Sequence, residues 1–405
     1  MKKILSIIAF LSISFYATAQ FSQNEDKQII IGTVDSLFSE ILNEQREIWV
    51  HVPEDIDESK KYPVIYLLNS PGHFYTATGI LKLLEKWNMP KSILVGIPSP
   101  DGMRDLTPTN VAFDRGHNSE TSGGASNFIK FIEKELKPYL KNKYPTDNMS
   151  TIIGHSIGGL FVVYAYTHHP NVFDNYLAID PSLWWDTEKL VTQSKELINK
   201  SNHQNKSLYV AVANSMGVDT VKVRKLKSVQ SEMLRANLNF HDILVKNSNQ
   251  LDFTWDYQEN EDHGSIVVPG LYNGLRSLFS WYPFPERWRF NTPKLYTAEE
   301  LTEPFYIHFE ELSKRFKREV KPDWRFIKEV GFFILTSHNL PKRARAYLEM
   351  NLKYYPKESK SYVAMGDYYT MQNKKEEAIK YFEMAIEIDG NKNAQTKLNE
   401  INKGE

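Results

Sequence analysis

The stretch 152–161 reads IIGHSIGGLF, and within it Gly154-His155-Ser156-Ile157-Gly158 has the spacing G-x-S-x-G. That spacing makes Ser156 a candidate nucleophile for acyl transfer when a strand precedes it and a helix follows it. Residues 150–153 are β-branched and apolar, as a buried strand requires, and residues 159–166 can continue as a buried helix. Glycines at 154 and 158 let strand and helix approach closely. The serine between them can then take a strained conformation that exposes its Oγ. Gly159 extends the close approach. A passive serine in a glycine-rich turn would not need this strand-and-helix context.

An activated serine needs a base and a group to orient that base. In the α/β-hydrolase order the chain runs serine, acid, histidine. Seven histidines follow Ser156: His168, His169, His203, His241, His263, His308 and His338. His168 and His169 fall at the far end of the elbow helix. His203 and His241 read as surface residues, and His308 and His338 lie beyond a proline-rich break. His263 is the best-placed base, because ENEDHGSI is a polar loop after the last expected strand, with Gly264 permitting a turn before a helix. The acid is expected after the strand at 207–214, which points to Asp219 in NSMGVDT; Asp252, Asp256 and Glu261 are the fallback candidates. Neighbouring His168 and His169 face different sides of a helix and no H-E-x-x-H spacing occurs, so no metal is expected.

Positioning these groups requires an alternating α/β chain. Strands are expected at 28–33, 44–52, 62–69 and 92–98, then at the elbow, 174–180, 207–214 and 251–257. Helices are expected at 76–86, 125–143, 188–200, 221–238 and 268–282. The first two strands read as an antiparallel entry, and the later alternation predicts a mostly parallel sheet with helices on both faces.

Five stretches in this order resemble an esterase family of α/β-hydrolases that includes enterobactin-type siderophore esterases, the esterase D or S-formylglutathione hydrolase group and the mycolyltransferases. They are IYLLNSPGHF (65–74), MRDLTPT (103–109), IIGHSIGGLF (152–161), DPSLWWD (180–186) and DHGS (262–265). The resemblance implies ester hydrolysis or acyl transfer through Ser156 with His263 as base. It also implies that His73 and the Trp184-Trp185 pair lie near the substrate; without it, that pair reads as core or rim aromatics. Members of the family usually carry an Asp-Gly pair in the first stretch, and the next residue gives a backbone N–H to the oxyanion hole. Here the pair is Asn69-Ser70, followed by Pro71, which has no N–H. Ile157 keeps the first donor, and Gly72 is the expected replacement for the second.

The first nineteen residues have Lys2 and Lys3, an apolar core and Ala17-Thr18-Ala19, which together predict a cleaved signal peptide and a periplasmic or secreted protein. The chain has 405 residues and no cysteine, which rules out disulfides and thiolate chemistry. Its formal charge of −1 becomes −3 once Lys2 and Lys3 are removed, a balance that suggests binding to neither nucleic acid nor an anionic membrane, and no apolar stretch comparable to the leader follows, so no membrane span is expected. An esterase domain is expected over 20–283 and a linker over 284–296. A helical tetratricopeptide-repeat-like domain is expected over 297–405, where Gly366, Ala378, Phe382 and Ala385 occupy small and large repeat positions. The functional readings are an exported serine esterase acting on a small-molecule ester without a cofactor, an acyltransferase using the same serine, or a weakly catalytic scaffold binding a protein through its tail.

Overall fold

The computed structural model describes residues 29–403 apart from 55, 58, 59, 115 and 116; the expected signal peptide at 1–19 lies outside the described residues. An eight-stranded sheet forms the centre: β1 (Thr33–Ser39), β2 (Glu44–His51), β3 (Tyr62–Leu68), β4 (Ile93–Ile97), β5 (Thr146–His155), β6 (Asn175–Ile179), β7 (Ser207–Ala213) and β8 (Asp252–Gln258). Its spatial order is β1-β2-β4-β3-β5-β6-β7-β8. Only the two pairings made by β2 are antiparallel, and the remaining pairings, from β4–β3 through to β7–β8, are all parallel. The central strands β3, β4 and β6 are buried along their whole length, so they read as unbroken apolar runs.

Helices cover both faces. In chain order they are α1 (Ser70–Leu84), α2 (Gly102–Leu106), α3 (Ala125–Phe131, continued by a π-helical stretch Ile132–Leu136 and a last α-helical stretch Lys137–Lys143), α4 (Ile157–His168), α5 (Trp185–Lys200), α6 (Thr220–Lys225), α7 (Val229–Lys246) and α8 (Val267–Leu278). Apolar side chains gather into one core on each face of the sheet. Two expectations shift. The first strand begins at Thr33 rather than at residue 28, because the turn through Asn43, at φ 52°, sets the register Thr33↔Val50. Ile29 and Ile30 therefore stay exposed. The helix expected at 221–238 is two helices, the first capped by the Asp219 side chain and the second starting afresh after Ser228.

A buried charge cluster anchors the segment that carries the MRDLTPT stretch. The fully buried Arg46 of β2 donates to Asp105 Oδ2 (2.7 Å), to Glu44 (2.8 Å) and to the Pro98 carbonyl (2.8 Å). Arg104 completes it by donating to Glu44 and Asp105. Each buried charge thus has several partners, the condition under which such a cluster can persist inside a protein.

Residues 298–403 form a separate helical layer, α9 (Ala298–Phe316), α10 (Trp324–His338), α11 (Pro341–Tyr354), α12 (Ser359–Met371), α13 (Lys375–Asp389) and α14 (Lys392–Lys403), with its own core. Thr297 and Glu300 make a reciprocal capping box at its start. α12 packs on α13 at a point where any side chain on Gly366 would run into the Phe382 ring. The layer docks near the amino ends of β3 and β5: Arg318 pairs with Asp147 (2.6 Å) and donates to the Lys61 carbonyl (2.9 Å). Phe316 meets Trp281 and Phe326 meets Trp87 edge-on. No helix among the described residues is long and apolar enough to cross a membrane.

Candidate active site

Ser156 sits between β5 and α4 at φ 58°, ψ −119°, a region where a non-glycine residue costs about 1–3 kcal/mol. The surroundings hold it there. Its N–H donates to the Ile179 carbonyl, and its own carbonyl accepts from Leu160 and Ser182 (all 3.0 Å). A Cβ on Gly154 would overlap the Gly158 carbonyl, and one on Gly159 would lie 2.9 Å from Pro181 Cα. The crossing is thus closed to larger residues at both positions.

The structure brings Ser156 and His263 together. His263 Nε2 lies 3.1 Å from Ser156 Oγ. The loop bearing His263 is built by its own sequence: Asp262 Oδ1 accepts the N–H groups of Gly264 and Ser265 (both 2.8 Å), and Ser265 Oγ accepts from the Asp262 N–H (3.0 Å). These short-range bonds explain why DHGS is legible as a unit.

The acid position is a correction. Asp180, 1% exposed at the end of β6, places Oδ2 2.6 Å from His263 Nδ1. Its other oxygen accepts from the Ala213 N–H (3.2 Å). Asp219 is exposed and does different work: Oδ1 caps α6 by accepting from Val221 and Lys222. Of the fallback residues, Asp256 bonds Tyr209 and Gln258, and Asp252 bonds Ser207. β6 is the strand hydrogen-bonded to β5, so the residue ending it lies nearer the elbow than anything beyond β7. The signal was present in IDPS, a carboxylate ending a wholly apolar strand.

With Nδ1 facing a carboxylate, its proton stays there and Nε2 is free to accept from Ser156. Ser182, 2% exposed, lies 3.2 Å from Ser156 Oγ, so with the Ser156 proton directed at Nε2 the Ser182 hydroxyl is the donor of that pair. His155 fixes the base from below: its Nε2–H donates to the His263 carbonyl (2.7 Å) and its ring lies 4.5 Å from the His263 ring. Burial, followed by the His263 charge, pushes His155 down to about 4. Unfolded histidine titrates near 6.5, so the unfolded chain takes up this proton first, and stability present above that pH is lost as pH falls towards 4. His155→Gln, which keeps a donor, should flatten the fall in melting temperature across that window. Thermal melts as a function of pH measure it, and an unchanged slope would show that other buried histidines carry the effect.

The remaining expected residues separate. Ile157 is the first residue of α4, where a backbone N–H has no partner within the helix. His73 is half-buried with its ring 5.4 Å from that of His155, and burial lowers its pKa. Trp184 is half-buried, but Trp185 is 1% exposed and donates to Thr109 Oγ1 (3.1 Å), so it is a core residue out of a substrate's reach. Gly72 is not aimed at the site. α1 begins at Ser70, so Gly72 lies in its first turn and its N–H donates to the Asn69 carbonyl (3.3 Å). His203, expected at the surface, is buried against Tyr166.

Strand order, elbow and histidine loop together define an esterase-type α/β fold with a helical C-terminal region. The family model described as "Putative esterase" matches residues 39–253, and the chain belongs to that family. It is 27% identical over 251 residues to the siderophore enterobactin esterase of Emericella nidulans, covering 54% of this chain and 82% of that protein. It is 29% identical over 194 residues to the ferri-bacillibactin esterase BesA of Bacillus subtilis, covering 42% and 66%. Among solved structures, an IroE-like serine hydrolase from Shewanella oneidensis superposes with TM-score 0.65 at 29% identity, covering 80% of this chain and 99% of that one. An uncharacterised protein from Capnocytophaga ochracea shares the fold over 92% of this chain and 99% of its own, with TM-score 0.61 at 17% identity.

Proposed function

We propose that this chain is an exported serine esterase whose triad is Ser156, His263 and Asp180. The continuous path from Ser156 Oγ to His263 (3.1 Å) and on to Asp180 (2.6 Å) carries this reading. His263 Nε2 takes the serine proton as Oγ adds to an ester carbonyl, and the Ile157 N–H binds the developing oxyanion. The imidazolium then protonates the departing alkoxide, leaving an acyl group on Ser156. Water, deprotonated by the same nitrogen, adds to the acyl carbonyl and frees the acid. Asp180 holds the imidazole in the tautomer this sequence of steps needs and stabilises its charge.

The substrate class we favour is a lactone or linear ester of the siderophore kind, after the relatives named for enterobactin and ferri-bacillibactin. His73 and Trp184 are the rim side chains we assign to it. Export rests on the leader-like residues 1–19, and the packing of Gly366 against Phe382 supports a tetratricopeptide-like tail that receives a protein partner. The tail docks near the amino ends of β3 and β5, away from the strand ends that carry the triad, so a partner could bind without covering Ser156. A hydrolysis screen of the chain from Gln20, run on short acyl, long acyl, aryl and siderophore lactone esters, should give the highest kcat/KM on the lactones. Failure to turn over any ester would sink the proposal.

A further inference from the structure

An oxyanion at Ser156 would meet one evident donor, the Ile157 N–H, and the two backbone positions that might add a second do not: Pro71 has no N–H, and that of Gly72 closes the first turn of α1. The neighbouring residue differs in kind. Asn69 lies at the carboxyl end of β3, the strand that flanks β5 on the side away from β6 and Asp180. Its backbone is left-handed, at φ 54°, ψ 37°, and although it stands at the N-cap of α1 its side chain does not cap that helix. The side chain reaches across to the elbow instead: Asn69 Cγ and Nδ2 both lie 3.7 Å from where a Cβ on Gly158 would stand. Gly158 directly follows Ile157, so the amide packs beside the first turn of α4, the turn that carries the Ile157 N–H.

We propose that the side-chain amide of Asn69 is the second oxyanion donor of this enzyme, in place of the backbone N–H that Pro71 removes. The proposal rests on the serine esterase reading and adds a catalytic residue to it. The chemistry suits the place. A primary amide presents two N–H groups, needs no charge, and is held near the elbow by a backbone conformation that asparagine adopts more readily than most residues. An aspartate at 69 would turn acceptor oxygens towards a forming negative charge.

Two variants test this on an activated aryl ester, so that the natural substrate need not be known. Asn69→Gly keeps the left-handed backbone without strain and removes the amide, whereas Asn69→Asp keeps the shape and reverses the hydrogen-bonding sense. Loss of one such donor should lower kcat about 10²–10³-fold with KM little changed. Asn69→Gly should melt no lower than the parent, and Asn69→Asp should lose at least as much activity. A role in turn geometry alone predicts full activity for Asn69→Gly, and parental kcat in either folded variant overturns the proposal. Ser156→Ala separates the two levels: if it still hydrolyses the ester the serine reading itself fails, whereas if it is inert and Asn69→Gly is fully active only this inference fails.

Discussion

Ser156→Ala should abolish ester turnover, with a loss in kcat on the order of 10⁶, as expected when the nucleophile of a serine triad is removed. The argument is geometric. Ser156 Oγ is within hydrogen-bond reach of both His263 Nε2 and Ser182 Oγ, and no other hydroxyl contacts Nε2 among the described residues. The variant should also lose covalent labelling by a fluorophosphonate probe while melting near the parental temperature, because the alanine inherits the same strained backbone at φ 58°. Ser156→Gly supplies the companion measurement, since glycine adopts positive φ without steric cost and should melt higher while remaining equally inactive. Labelling that survives in the alanine variant would place the nucleophile elsewhere.

Asp180→Asn should lower kcat about 10⁴-fold, because an amide at that position no longer holds the Nδ1 proton and the imidazole presents the wrong tautomer to Ser156. Substrate binding should change little, so the effect should appear in kcat rather than in KM. Asp219→Asn is the matched comparison. Its carboxylate caps α6 on the exposed side of the domain, and its replacement should leave turnover near the parental value. Two variants of equal activity would show that Asp180 does not act as the acid. A large loss confined to Asp219→Asn would restore the position expected from chain order.

That contrast marks where the sequence stops being informative. The elbow and the DHGS loop were legible because the forces that shape them are local. Gly154 is demanded because a side chain there would overlap the Gly158 backbone four residues on, and Asp262 ties down the two amides that follow His263. The alternation of apolar strands and amphipathic helices likewise declared the layered architecture, since burial on both sheet faces imposes its period on the chain directly. The capping box at Thr297 and Glu300 and the small residue at Gly366 announced the helical tail in the same local way.

Tertiary structure decided the rest, because each remaining choice depends on which distant segments become neighbours. Asp180 and His263 lie 83 residues apart in the chain, and they meet because β6 takes the place beside β5. Trp184 and Trp185 are adjacent and chemically identical, yet one stays half-buried while the other finds Thr109 in a segment held by the Arg46 cluster. Gly72 loses its expected part for a similar reason. Starting α1 at Ser70 commits the Gly72 amide to the helix, and the left-handed turn at Asn69 sends its side chain across to the elbow. Local sequence specifies which groups a turn can offer; the packing of strands 3, 5 and 6 selects which of them converge on Ser156.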